Sequence, residues 1–158
     1  MPRHEELRTL PYSADELYAI VADVEKYPQF LPWCIGARAW KRTENELWAD
    51  LIIGFKMFRE TFTSHVTFSP PHLIEVEYVK GPLRHLSNRW RFIPEGPQSC
   101  TIDFMVDFAF KNPLFEKLVG TLFTEAVHRM VRAFESRAEE IYGKRPGIEG
   151  APLPDGTR

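Results

Sequence analysis

The chain carries only two cysteines, Cys34 and Cys100, and they do not form a CxxC pair. That excludes a disulfide framework and a cysteine-rich metal site, and points to two reduced thiols of a cytosolic protein. No apolar run approaches the roughly 20 residues of a membrane-spanning helix. The opening Met1-Pro2-Arg3-His4-Glu5-Glu6 lacks the apolar stretch of a secretory signal, so any membrane contact is expected to be peripheral. A basic excess is also missing: 20 Lys and Arg stand against 22 Asp and Glu, for a net charge of -2. A general electrostatic DNA or RNA binder needs the opposite balance, though a local basic patch is not excluded. His4, His65, His72, His85 and His128 show no HxxxH or HxH spacing, and there is no P-loop, GxGxxG or Ser-His-Asp set. Neither a metal nor a cofactor is expected.

What is present is a globular composition, with 44% hydrophobic and 27% charged residues, in a 158-residue chain that fits one domain. Aromatic residues reach 13%, enough for either a large core or an apolar binding surface.

Residues 3–10 read as a first strand. Ser13-Ala14-Asp15-Glu16 is an S-x-x-E capping box, with Tyr12 and Leu17 at the positions of a hydrophobic staple. Leu17, Ile20, Val21 and Val24 continue at helical spacing until Pro28 and Pro32 stop the helix. Residues 27–34 read as a short turn packed across one end of a sheet. From 35 to 110 the pattern alternates, with β-branched and aromatic enrichment, and divides at turn signals into strands 35–43, 46–56, 59–69, 72–80, 86–94 and 99–110. Short connections favour an antiparallel meander. Asn112-Pro113 then opens a helix, and Phe115, Leu118, Leu122, Ala126, Met130, Phe134, Ala138 and Ile141 mark one stripe up to Gly143. The order β-α-β6-α predicts an α+β domain over 1–143, a curved seven-stranded antiparallel sheet around a long C-terminal helix. Residues 144–158, rich in Gly and Pro, read as a disordered tail.

This order is the helix-grip arrangement, and particular residues sharpen it. The run Tyr18-Ala19-Ile20-Val21-Ala22-Asp23-Val24-Glu25-Lys26-Tyr27-Pro28-Gln29-Phe30-Leu31-Pro32-Trp33-Cys34 resembles the signature of the coenzyme Q-binding branch of the START-like (polyketide cyclase and lipid transport) superfamily. Gly54-Phe55, Arg59-Glu60-Thr61-Phe62-Thr63-Ser64, Pro70-Pro71, Gly81-Pro82-Leu83, Trp90-Arg91-Phe92 and the segment from Phe108 to Leu114 agree with it in order. The resemblance implies binding of ubiquinone or its isoprenoid chain in support of respiration, by a carrier or chaperone that performs no chemical conversion. A similar bacterial branch is described as a ribosome-association toxin.

Alternation assigns the strand faces independently of the family. Leu51, Ile53 and Phe55 turn inward from the second long strand, and Phe62, Ser64, Val66 and Phe68 from the third. Val76 and Tyr78, then Asn88 and Trp90, then Phe104, Val106 and Phe108 follow. With Phe30 and Trp33 from the turn, and Leu118, Leu122 and Met130 from the helix, all but Ser64 are the expected ligand contacts. Ser64, Asn88 and Tyr78 are nearly the whole inward polar set, so no acid or base for catalysis is expected and a binding cavity is favoured. Cys34 reads as a buried, inert thiol. Lys56, Met57 and Phe58 at one hairpin tip, with Lys80 and Leu83 at another turn, combine apolar side chains with cations as a peripheral membrane contact would. The alternative is a tip folded back on the core. The first expectation is a carrier for a prenyl quinone, cytoplasmic and peripheral to the inner face of the respiratory membrane. The second is an interaction with a ribosomal subunit through a basic patch of Arg38, Lys41, Arg42, Arg89 and Arg91. A cyclase-type enzyme is third.

Overall fold

Alternation over the middle of the chain becomes six successive antiparallel strands. A computed structural model describes residues 3–55 and 58–145, without the side chains of residues 55, 58 and 119–124. The strands are β1 (Arg3–Leu10), β2 (Cys34–Arg42), β3 (Glu46–Phe55), β4 (Phe58–Ser69), β5 (Leu73–Lys80), β6 (Leu83–Gly96) and β7 (Ser99–Phe110). They form one sheet in the order β1-β7-β6-β5-β4-β3-β2, so β2 to β7 is a meander and β1 returns to pair with β7. Helix α1 (Ala14–Ala22) lies between β1 and β2, and α2 (Pro113–Tyr142) follows β7. The expected β-α-β6-α order is the observed one.

Helix α1 starts where its capping box places it. Ser13 Oγ accepts the Glu16 N–H at 3.1 Å, and the Ser13 N–H donates to Glu16 Oε1 at 2.9 Å. Its inner face buries Leu17, Ile20 and Val21, each worth roughly 1.5–3 kcal/mol when fully removed from water. The helix ends at Ala22, well before Pro28, which corrects the expectation that proline stops it. The Tyr27 hydroxyl donates to the Val21 carbonyl, satisfying one acceptor that the helix end leaves free. Between them the chain tightens into a 3₁₀ helix, Val24–Gln29, which carries Pro28 near its end.

Helix α2 is built from both of its caps. Asn112 Oδ1 accepts the Leu114 N–H at 2.8 Å, and Glu116 reaches back to the Phe110 N–H at 2.7 Å. At the far end Gly143, with φ +91°, donates its N–H to the Glu139 carbonyl at 2.9 Å. Thirty residues at about 1.5 Å each make a rod of about 45 Å. The expected apolar stripe holds at Phe134 and Ala138, which are buried, but Ile141 is half exposed. One residue further on, Tyr142 turns inward, its ring 6.0 Å from that of Tyr12 and its hydroxyl donating to the Glu16 carbonyl at 2.9 Å.

These contacts fasten the C-terminal end of α2 to the start of α1. Arg145 forks onto the Glu16 carboxylate at 2.7 and 2.9 Å, and the Tyr12 hydroxyl donates to the Gly143 carbonyl at 2.8 Å. Arg145, assigned from the sequence to a disordered tail, is therefore docked; residues 146–158 lie outside the described residues. The packed core sits at this end, where α1 meets Phe92, Cys100, Phe134 and Ala138.

The Arg145 fork holds the Glu16 carboxyl below its ordinary value, with burial opposing it. A carboxylate with a depressed folded-state pKa stabilises the fold above its unfolded value and loses that contribution as pH falls. Arg145→Ala should lower the melting temperature by a few degrees near pH 7. The gap to wild type should stay full above the ordinary glutamate value of 4.5 and close as acid protonates Glu16. Thermal melts between pH 7 and pH 3 measure it, and a gap independent of pH would contradict the assignment.

An apolar cavity between the sheet and the last helix

Away from α1 the space between the concave sheet face and α2 is not filled. A cavity of about 400 Å³ remains there, within the size range of small-molecule sites. β3 contributes Ala49, Leu51 and Ile53; β4 contributes Glu60, Phe62, Ser64 and Val66; β5 contributes Ile74 and Val76. β6 supplies Leu83, Leu86, Asn88 and Trp90, and β7 supplies Phe104, Val106, Phe108 and Phe110. The α2 side chains are Phe115, Leu118, Ala126, Val127, Met130 and Phe134. One side is closed by Val21, Val24, Tyr27, Leu31, Trp33 and Cys34. Period-2 alternation explains the strand set apart from Leu83, which a register shift between Leu83 and His85 brings onto the same face.

Seven lining residues carry a polar side-chain N–H, oxygen or thiol, and four of these, Tyr27, Cys34, Asn88 and Trp90, have internal partners. Asn88 Nδ2 donates to the Met105 carbonyl at 2.8 Å, and its Oδ1 accepts Trp90 Nε1 at 3.0 Å. The Tyr27 hydroxyl is held by Val21, and burial raises its pKa. Cys34 Sγ lies 3.5 Å from the Gly36 carbonyl, and burial likewise raises its thiol. That leaves the Trp33 indole N–H, Glu60 and Ser64, none with a hydrogen-bond or ion-pair partner among the described residues.

One end of the cavity can be traced by register. Cys34, Ile53 and Glu60 stand at one level across β2, β3 and β4, and Leu83 pairs with Phe110 at the matching end of β6 and β7. The β5–β6 turn folds against this end: Gly81 has φ +145°, and a Cβ there would lie 2.9 Å from the Thr61 carbonyl oxygen, so only glycine fits. The Lys111 N–H donates to the Pro82 carbonyl at 3.0 Å, tying that turn to the start of α2. Just beyond, Leu114 and Leu118 are 76% and 38% exposed, a pair of large apolar side chains facing solvent beside an apolar cavity.

Of the residues expected to contact a ligand, Trp33, Leu51, Ile53, Phe62, Val66, Val76, Asn88, Trp90, Phe104, Val106, Phe108, Leu118 and Met130 line this cavity. Phe30 does not; it packs edge-on against Tyr27 and Phe134 beneath the Arg137 guanidinium. Phe68 turns toward Tyr18 instead, filling the α1 end of the core. Tyr78 is spent on the turn, its hydroxyl accepting the Leu83 N–H at 2.9 Å. Leu83, expected on a membrane-facing rim, is 1% exposed and faces the cavity, because β6 begins three residues earlier than its pattern suggested. Lys80 is exposed. Lys56 and Met57 lie outside the described residues, as do the side chains of Phe55, Phe58 and Leu122.

Sequence reasoning missed Glu60, although it shares the parity of Phe62, Ser64 and Val66. A charge at the start of a strand reads as solvated, and only the closed register shows it facing inward. The Val24–Leu31 wall was missed for a different reason, since an irregular segment has no period to read. The five basic residues expected to form one patch divide into two groups. Arg38, Lys41 and Arg42 lie on edge strand β2, while Arg89 and Arg91 lie on β6, four strands away and so roughly 19 Å off at about 4.8 Å per strand. Glu46, Asp50, Glu75 and Glu77 fall on the strands between, and Lys41 sits over the Trp48 ring at 4.7 Å. Among the described residues no three His, Cys, Asp or Glu side chains converge as a metal site.

A coiled antiparallel sheet gripping one long helix around an apolar cavity defines a START-like domain. The chain belongs to the family described as polyketide cyclase / dehydrase and lipid transport, which matches residues 10–135. The ribosome association toxin RatA of Escherichia coli K12 is 37% identical over 145 residues, 92% of each chain. The mitochondrial coenzyme Q-binding protein COQ10 homolog B of Xenopus laevis is 36% identical over 146 residues, 90% of this chain and 60% of the relative. In fold the chain matches the Zhui aromatase/cyclase of Streptomyces sp. R1128, with a TM-score of 0.80 at 16% identity, covering 93% of this chain and 99% of that one.

Filling the cavity should remove its capacity for apolar ligands while leaving the packed end intact. Val106→Trp projects an indole into the lumen from β7. Binding of an apolar fluorescent probe should fall at least tenfold with far-ultraviolet circular dichroism unchanged. Wild-type binding by a folded variant would place the probe elsewhere.

Proposed function

We propose that the chain is a non-enzymatic carrier that binds a prenyl lipid, ubiquinone or a close relative of it, in the cavity under α2. The observation that carries this reading is the wall itself. Its side chains are almost all aliphatic or aromatic, and its buried thiol and phenol are both pushed toward their neutral forms. Each methylene transferred into such a wall contributes roughly 0.8 kcal/mol, so even a short isoprenoid stretch binds well before association costs are subtracted. Acid–base catalysis ordinarily uses a proton donor and an acceptor within reach of one substrate. Here the described lining holds a single carboxylate, Glu60, and its other ionisable groups, the Tyr27 phenol and the Cys34 thiol, are held neutral by burial.

We place the opening at this end, which suits delivery from a bilayer. Leu114 and Leu118 are exposed there, with Lys80 before the β5–β6 turn and Lys111 before α2. No described helix is long and apolar enough to cross a membrane, so contact would be peripheral, at the cytoplasmic face of a respiratory membrane. Similarity to the coenzyme Q-binding relative supports this reading.

The second reading, action on a ribosomal subunit, rests on similarity to RatA over nearly the whole chain. The division of the basic residues between β2 and β6, with carboxylates between them, weighs against a nucleic-acid face. Solvent extraction of purified protein followed by mass spectrometry tests the two together. Co-purified prenyl quinone at near-stoichiometric amounts is the expected result, with no sedimentation on ribosomal subunits at physiological salt. An empty protein that co-sediments with subunits would overturn the carrier reading.

A further inference from the structure

Glu60 and Ser64 share one face of β4 four residues apart, about 13 Å along the strand at roughly 3.3 Å per residue. Both line the cavity, and both lack a partner among the described residues. Ser64 is 3% exposed, and its hydroxyl, which lines the cavity, can donate to a ligand. Asn88, by contrast, already uses its amide on both sides.

We infer that Glu60 reads the head group of the bound lipid and selects heads that donate a hydrogen bond. This rests on the carrier reading and deepens it. A carboxylate accepts hydrogen bonds and donates none. A hydroxyl-bearing head, such as a prenyl alcohol or a prenyl hydroquinone, can therefore bond to it, and such a charge-assisted bond is about twice as strong as a neutral one. A quinone or aldehyde offers only acceptors and gains nothing at Glu60. A lipid carboxylate brings like charge into a low-dielectric wall and is repelled. Glu60 stands at the open end, level with Ile53 and Cys34, so the head rests there while the tail runs toward Val66, Trp90 and Phe104. Ser64 lies on the way, able to donate to a second oxygen of the head. The cavity would then favour the reduced form of a prenyl quinone over its oxidised form and exclude fatty acids.

The test uses two sets of probes with matched tails, measured on wild type and Glu60→Gln. The first is farnesol, farnesal and farnesoic acid; the second is decyl hydroquinone, kept reduced under argon, and decyl benzoquinone. Glutamine keeps the shape but both donates and accepts. Wild type should bind farnesol at least tenfold more tightly than farnesal and more tightly still than farnesoic acid. It should prefer the hydroquinone to the quinone by about tenfold. In Glu60→Gln both preferences should shrink to within about threefold. Ser64→Ala should weaken decyl hydroquinone, whose ring carries a second oxygen, by a smaller factor and leave farnesol nearly unchanged. Preferences unchanged in Glu60→Gln, or absent in wild type, would overturn the head-group assignment while leaving the carrier standing. Failure of every probe to bind wild type would overturn the carrier reading as well.

Discussion

A single helix cannot cover a seven-stranded sheet. Seven strands at about 4.8 Å spacing span roughly 29 Å, whereas a helix with its side chains is about 10–12 Å across. Right-handed twist coils the sheet toward the helix and shortens the gap without closing it. The inward strand faces are apolar apart from Glu60, Ser64 and Asn88, so they must be shielded from water by something. At one end α1 supplies that cover, with Leu17, Ile20 and Val21 seated beside Phe92, Phe134 and Ala138. At the other end the described residues supply no second helix, and the cavity is what remains.

The same asymmetry governs α2. Its C-terminal end is fixed by directed bonds, Arg145 to Glu16, Tyr12 to Gly143 and Tyr142 to the Glu16 carbonyl, none of which depends on the cavity being full. Its N-terminal end is held by the Asn112 cap, the Glu116 contact to Phe110 and the Lys111 bond to the Pro82 carbonyl. Fold stability and ligand capacity are thereby separated along one rod. The helix can be anchored firmly at one end while its middle faces an apolar space open to a guest.

Much of this was legible in the sequence because it follows from period. The capping box at Ser13, the Asn112-Pro113 start and the Gly143 stop all fall where local chemistry puts them. Alternation correctly sent Leu51, Ile53, Val76, Val106 and Phe108 to the inner face. What period could not show was the third dimension. Tyr78 reads as inward by parity, yet its hydroxyl is used by the turn at Gly81. Phe68 and Phe30 are inward too, but they lie under α1 and α2 rather than over the void. Glu60 obeys the same alternation as its neighbours and was set aside because charge overrode parity. The supposed basic patch failed on strand order, which no single strand encodes.

The account turns on whether an apolar ligand enters the space beneath α2 or merely coats exposed apolar side chains. Methyl-labelled Ile, Leu and Val residues report on both places at once. Titration with a prenyl alcohol should shift the methyl resonances of Leu51, Ile53, Val76, Val106 and Val127, which line the cavity, and leave Leu7, Ile35, Val79, Ile93 and Ile141, which are exposed, in place. Shifts confined to the exposed set, with the cavity methyls unmoved at saturation, would contradict it.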